Sequence, residues 1–303
     1  MKRRKSKKKL NHFQCMVFVL LLVTILSCQK RTEIQFVSTA VVVDSVASAD
    51  GVMIHYDVRG RGEPALVFIH GWCCDRSYWK AQVDTFAQRY RVVTLDLAGH
   101  GESGLSRREW TIPAFGADVK AVVEKLGLER IILIGHSMGG PVALDAARQM
   151  PGRIIGLIGV DTFQNFEERF SREQFDGFLA PFQENFKEAT AGFVRSMFPA
   201  SADSDLVAWV VNDMSSAPPE VGLGAMEGMY AFDPKEVLRD VRIPIRSISA
   251  DMWPTNVESN RRVAASFDVL IMKGHGHFLH KEDPATFNNL LWEAVHDLVG
   301  RHS

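Results

Sequence analysis

Ile131-Ile132-Leu133-Ile134-Gly135-His136-Ser137-Met138-Gly139-Gly140-Pro141 is the stretch on which the fold turns. Its first four residues are all apolar and lack the alternation of a half-exposed strand. They read as a strand buried on both faces, as in a parallel sheet covered by helices. Pro141 suits the first turn of a helix, where its missing N–H leaves no bond unmade. Between the two lies Gly-x-Ser-x-Gly. Alone, that pattern recurs by chance. Between a strand and a helix it describes a turn so tight that side chains flanking the serine would strike neighbouring backbone. Gly135 and Gly139 remove them and leave the Ser137 hydroxyl projecting at the sheet edge. The helix N-terminus beneath offers N–H donors and partial positive charge. A plain N-cap serine with glycines serving close packing would look the same locally, so its partners decide between the two.

Outward from this turn, short β-branched runs alternate with amphipathic stretches. Residues 52–58, 65–69, 92–95, 131–134, 154–160, 245–248 and 269–272 read as strands. Residues 78–88, 112–126, 141–150 and 284–299 read as helices. Asp50-Gly51 marks a hairpin, so the sheet is expected to start antiparallel and continue parallel. The interval 162–232 differs in composition, with Phe163, Phe166, Phe170, Phe175, Phe178 and Phe182 closely spaced and Met214 and Met226 beyond them. Spacings of three and four put these on helical faces. A helical cap inserted before the penultimate strand is expected, with the core formed by 41–161 and 233–303. Most of these aromatics should glue the cap to the sheet, and a few should line a pocket.

A serine hydroxyl needs a base within hydrogen-bond reach and an acid to orient that base. In the chain order Ser…Asp…His, the acid follows a later strand and the histidine the last one. After 245–248 comes Asp251, in Ser249-Ala250-Asp251-Met252-Trp253; after 269–272 comes Gly274-His275-Gly276-His277-Phe278-Leu279-His280.

With these residues in place the chain resembles an α/β-hydrolase of the serine-esterase type. The resemblance covers about 52–301 and rests on His70-Gly71-Trp72, the run Asp96 to Ser103, Gly135 to Gly139, Asp251 and Gly276-His277-Phe278. It implies an α/β fold with a mostly parallel sheet flanked by helices, and hydrolysis of carboxylic esters through an acyl-enzyme. Ser137 is the expected nucleophile, His277 the base and Asp251 the acid. His275 is the nearest rival base, and His280 is expected to pack. Asp161, after the preceding strand, is the rival acid, because some relatives keep theirs there. The Asp-x-Trp-Pro-Thr-Asn loop at 251–256 is an uncommon variant of the acid loop. The resemblance assigns the oxyanion-hole N–H groups to Met138 and Trp72. Trp253 and Phe278 are expected to line the pocket, His70 to make structural hydrogen bonds, and His136, Cys73 and Cys74 to pack.

A Ser at the elbow, in place of Asp, disfavours epoxide hydrolase and dehalogenase chemistry. Lactone opening, C–C bond hydrolysis and perhydrolysis share the triad and stay open. So does a small-molecule binding or sensor protein on the same scaffold. No cofactor or metal is expected, since the chain has no GxGxxG or GxxxxGK loop, no CxxC and no His/Cys ligand spacing. The expected partner is a small apolar ester or related acyl substrate.

The 303 residues carry a net charge of −1, but unevenly. Residues 1–9 hold seven basic residues, while 28 basic and 36 acidic residues follow beyond residue 27. A mildly acidic body argues against nucleic-acid binding through bulk charge. Behind the basic block runs an apolar stretch from Phe13 to Leu26, too short to cross ~30 Å of hydrocarbon comfortably. A charged start, a short apolar middle and a small residue at the end describe an export signal over 1–27. The ending Ile25-Leu26-Ser27-Cys28 resembles a bacterial lipoprotein signal, with Cys28 as the lipidation site and 28–40 as a tether. An exported protein held at the cell envelope through a lipid or its N-terminal segment is the expectation.

Overall fold

The computed structural model describes residues 41–301. The expected export signal, the Cys28 anchor and the tether all lie outside the described residues.

Eight strands form one sheet: β1 (Val42–Ala47), β2 (Met53–Arg59), β3 (Ala65–Ile69), β4 (Val92–Leu95), β5 (Ile131–His136), β6 (Ile154–Val160), β7 (Pro244–Ala250) and β8 (Ser266–Met272). Their spatial order is β1-β2-β4-β3-β5-β6-β7-β8. The β1–β2 and β2–β4 pairs are antiparallel and the other five parallel, so the sheet opens with the expected hairpin. The central strands are buried on both faces because alternate residues enter different cores. Ile131 and Leu133 join Phe115, Val119 and Val142 on one side. Ile132 and Ile134 join Trp79, Phe86, Phe287 and Leu291 on the other. This period-two division is what an uninterrupted apolar run accomplishes in a covered sheet.

A 3₁₀ turn over Arg76–Trp79 leads into α1 (Lys80–Phe86); then follow α2 (Ile112–Lys125) and α3 (Gly139–Gln149). α2 begins where Thr111 accepts a hydrogen bond from the Ala114 amide, with Pro113 in its first turn. Between β6 and β7 lie α4 (Arg172–Glu184), α5 (Phe186–Ser196), α6 (Ser204–Met214), α7 (Pro219–Ala231) and α8 (Pro234–Asp240). Ser171 and Gln174 form a reciprocal capping box at the start of α4. The first four of these helices build the cap; α8 returns to the core and packs on α3. The chain finishes with α9 (Val257–Val263), α10 (Leu279–Glu282) and α11 (Pro284–Gly300) around β8. Among the described residues no helix is long and apolar enough to cross a membrane.

Four non-glycine residues among those described have positive φ: Cys73 (55°), Ser137 (51°), Asp161 (44°) and Phe163 (66°). All four follow the C-terminal ends of parallel strands β3, β5 and β6. Left-handed backbone costs an L-residue roughly 1–3 kcal/mol and gathers where a loop must aim a side chain. The C-terminal edge of the sheet is therefore where the site should be built, as in open α/β sheets generally.

Candidate active site

Ser137 sits directly beyond β5. A Cβ on Gly135 would lie 2.1 Å from the Gly139 carbonyl oxygen, and one on Gly139 would lie 2.4 Å from the Ile69 oxygen. Both glycines are therefore steric necessities of the elbow. The Ser137 amide donates to Val160 O at 3.0 Å, which holds the elbow against the end of β6.

The loop after β8 brings in His277. The Gly276 amide donates to both carboxylate oxygens of Glu282 at 3.0 Å. The His277 amide donates to Met197 O, in the cap, at 2.9 Å. A Cβ on Gly276 would lie 2.3 Å from that same Met197 oxygen, which explains the glycine. The His277 carbonyl accepts from His136 Nε2 at 3.0 Å. His277 is 7% exposed, and its Nδ1 lies 2.6 Å from Asp161 Oδ2. A carboxylate can only accept, so Nδ1 carries a proton, and in the neutral imidazole it is Nε2 that has the lone pair.

The carboxylate paired with the imidazole is thus Asp161, and the expected pairing with Asp251 is corrected. Asp161 is buried, and its second oxygen accepts from the Ala250 amide at 2.9 Å. Asp251 is exposed and accepts from the Gly274 amide at 2.8 Å, so it clips the base loop from outside. The reason is strand length. In the parallel register Val160 stands opposite Ile248, so Asp161 leaves β6 level with Ser249, while β7 runs on to Ala250 and carries Asp251 beyond the edge.

The remaining expected residues divide. Trp72 (4% exposed) and Met138 (1%), the expected oxyanion donors, are both buried. Neither backbone amide makes a hydrogen bond within the described residues. The Trp72 indole donates to Gly222 O at 2.8 Å, and Phe182 and Phe186 meet it edge-on at 5.9 and 5.8 Å. The cap aromatics therefore pack directly on the Trp72 indole. Trp253 is partly exposed and lies edge-on to the His277 ring at 5.5 Å. Phe278, expected in the pocket, is fully buried and stacks on Phe198 at 5.0 Å; it is core. A backbone that turns His277 inward points the next side chain into the interior behind it.

His70 donates from Nδ1 to Gly71 O at 2.8 Å and accepts at Nε2 from the Leu97 amide at 3.0 Å. Burial pushes its pKa down to about 4, so it serves as a neutral brace. His280 is buried and stacks on Trp79 at 4.6 Å; burial likewise holds its pKa well below the usual range. His275 is half-buried, with Nδ1 bonded to Lys273 O, and takes no part in the imidazole–carboxylate pair. Cys73 and Cys74 are free, buried thiols, and burial raises both pKa values. Clefts of about 360 and 260 Å³ open around Arg76 and around Cys73, but neither is lined by Ser137, Asp161 or His277. Among the described residues no group of three or more His, Cys, Asp or Glu could hold a metal ion.

The order of strands, an elbow serine at the end of β5 whose amide is bonded to Val160, and the buried pair that His277 makes with the next residue, Asp161, define a class, and residues 66–290 match the model of the alpha/beta hydrolase family. The chain belongs to that family. It is 28% identical over 268 residues to the protein named "Putative carbamate hydrolase RutD" of Caulobacter vibrioides, covering 82% of this chain and 96% of that one. Over 111 residues it is 35% identical to the dihydrolipoyllysine-residue acetyltransferase component of the acetoin cleaving system of Cupriavidus necator; the match covers 37% of this chain and 30% of that protein's length. In fold it is similar to the esterase EaEST of Exiguobacterium antarcticum, with a TM-score of 0.76, 19% identity, and 84% of this chain and 100% of that chain covered.

Proposed function

We propose that this protein cleaves small apolar carboxylic esters through an acyl-enzyme, with Ser137 as nucleophile, His277 as general base and Asp161 as the orienting acid. The observation that carries the reading is the 2.6 Å pairing of His277 with buried Asp161, the residue after Val160, to which the amide of Ser137 is bonded. Ser137 Oγ attacks the carbonyl carbon as His277 Nε2 takes its proton. The tetrahedral oxyanion is received by the amides of Trp72 and Met138. Collapse expels the alcohol, which leaves with the proton from His277. Water then repeats the attack on the acyl-enzyme, and Ser137 recovers its proton. Asp161 stays ionised, fixing the tautomer and stabilising the imidazolium. Backbone donors aimed at developing charge are the strongest element of such a site; loss of one costs about 10²–10³ in turnover.

Trp72 under Phe182 and Phe186 supports an apolar acyl site of short-to-medium or aromatic length. Carbamates, named for one relative, and esters share the carbonyl carbon that this oxygen nucleophile attacks. The charged start and apolar run of residues 1–27 support export, with Cys28 as the site of a lipid anchor. In this reading the described residues form the exported enzyme.

Hydrolysis of p-nitrophenyl acetate and butyrate, together with labelling by a fluorophosphonate, tests the site. Ser137→Ala should abolish both. Near-wild-type hydrolysis by that variant would refute the reading. For the anchor, Cys28→Ala should release the full-length protein from the membrane fraction.

A further inference from the structure

His136 ends β5, one residue before Ser137, and its ring is 1% exposed. Its Nε2 donates to the backbone carbonyl of His277 at 3.0 Å. Its Nδ1 faces the Trp72 loop: a Cβ on Gly71 would lie 2.8 Å from that nitrogen. The ring centroids of His277, Phe278 and His280 stand 4.7, 5.3 and 4.6 Å away. One imidazole therefore touches the base loop and the loop of the first oxyanion donor, from the strand that carries the nucleophile.

We propose that His136 is a positioning residue of the site, holding the His277 loop and the Trp72 loop in register with Ser137. The inference rests on the serine-hydrolase reading above. The other backbone bonds of the base loop lead elsewhere: His277 N to the cap at Met197, Gly276 N to Glu282, and Gly274 N to Asp251. Asp161 grips the His277 side chain but not its backbone. Among these bonds, that of His136 joins the base directly to the nucleophile strand. Because the His277 carbonyl can only accept, Nε2 of His136 carries the proton. Burial holds this ring's pKa well below the ordinary histidine value, so it stays neutral beside the His277 imidazolium that forms during turnover. A misplacement of about 1 Å in a reacting group can cost about 10²-fold in rate, so a brace of this kind acts on turnover more than on binding.

The test compares His136→Phe, which keeps the ring volume without a donor, with His136→Gln, which keeps an N–H at the same reach. His136→Phe should lower kcat on p-nitrophenyl acetate about 10–100-fold, with KM changed less than about threefold. Fluorophosphonate labelling should slow in parallel, and His136→Gln should recover most of the loss. A kcat within about twofold of wild type in His136→Phe overturns the proposal, as does equal loss in the two variants, which would mark a packing role. Should His136→Phe fail to fold, Gly71→Ala decides: its methyl presses on the same ring from the other side, and unchanged kcat overturns the proposal. Absence of labelling in the wild-type protein would refute the serine-hydrolase reading and this inference with it. Labelling of His136→Phe at the wild-type rate would overturn this inference alone.

Discussion

Replacing Asp161 by Asn separates the two candidate acids, and the structure sets the size of the effect. Asp161 uses both oxygens: Oδ1 accepts from the Ala250 amide at 2.9 Å and Oδ2 faces His277 Nδ1 at 2.6 Å. An asparagine can supply an acceptor to only one of them. With its oxygen toward Ala250, its NH₂ meets the imidazole and forces Nδ1 to become an acceptor, which moves the ring proton to Nε2. A protonated Nε2 cannot take the Ser137 proton. With the amide flipped, NH₂ opposes the Ala250 N–H in a buried site, an uncompensated contact worth about 1–3 kcal/mol. The first arrangement is therefore favoured, and kcat should fall about 10⁴-fold, the usual effect of a wrong tautomer in such a triad. That corresponds to about 5–6 kcal/mol of transition-state stabilisation. Asp251→Ala removes the one hydrogen bond that the Gly274 amide donates to an exposed carboxylate, worth about 0.5–1.5 kcal/mol, so its kcat should fall no more than about tenfold. Hydrolysis of p-nitrophenyl acetate, with Tm measured alongside, reads both. An Asp161→Asn variant keeping a tenth of wild-type kcat, or an Asp251→Ala variant losing it all, would refute the reasoning.

Gly139→Ala should destabilise the fold by about 1–3 kcal/mol and impair labelling of Ser137, because its methyl would lie 2.4 and 2.7 Å from the backbone oxygens of Ile69 and His70; an unchanged Tm would count against the steric account of the elbow. Stability should also fall as pH drops from about 6.5 toward 5. His70, His100, His136 and His280 are buried, and burial depresses all four, His70 to about 4 and His100 to about 3. Below the unfolded value of 6.5 the unfolded chain takes up protons that the folded chain refuses, so each ring costs up to about 1.4 kcal/mol per pH unit. Asp96 and Asp118, whose pKa values burial raises, offset part of this only at lower pH, nearer their own titration. Urea unfolding at pH 7, 6 and 5 measures the slope, and a flat profile would show that these rings become protonated in place.

Much of the site was readable before the fold was known, and the reason is locality. Ser137 lies in a turn whose constraints come from residues within a few positions of it and from the strand and helix on either side. His277 was set apart from His275 and His280 by Gly276, whose bareness the structure traces to Met197 O. The cap helices were legible as a region through their aromatic spacing. The inward turn that buries Phe278 was not, because it depends on the cap residue Phe198. The contacts of His136 were equally invisible, since its partners lie 65 positions before it at Gly71 and 141 after it at His277.

The acid shows the division most sharply. Asp161 and Asp251 each follow closely on a strand, and the resemblance favoured Asp251, so nothing local to either residue picked out Asp161. The sequence alone determined that an elbow serine would sit at the edge of a covered parallel sheet, because strand burial and the sterics of a tight turn are short-range. Only the tertiary structure decided which carboxylate meets the imidazole. That choice depends on the register of β6 against β7, on the extra reach of β7, and on a bond between residues 116 positions apart.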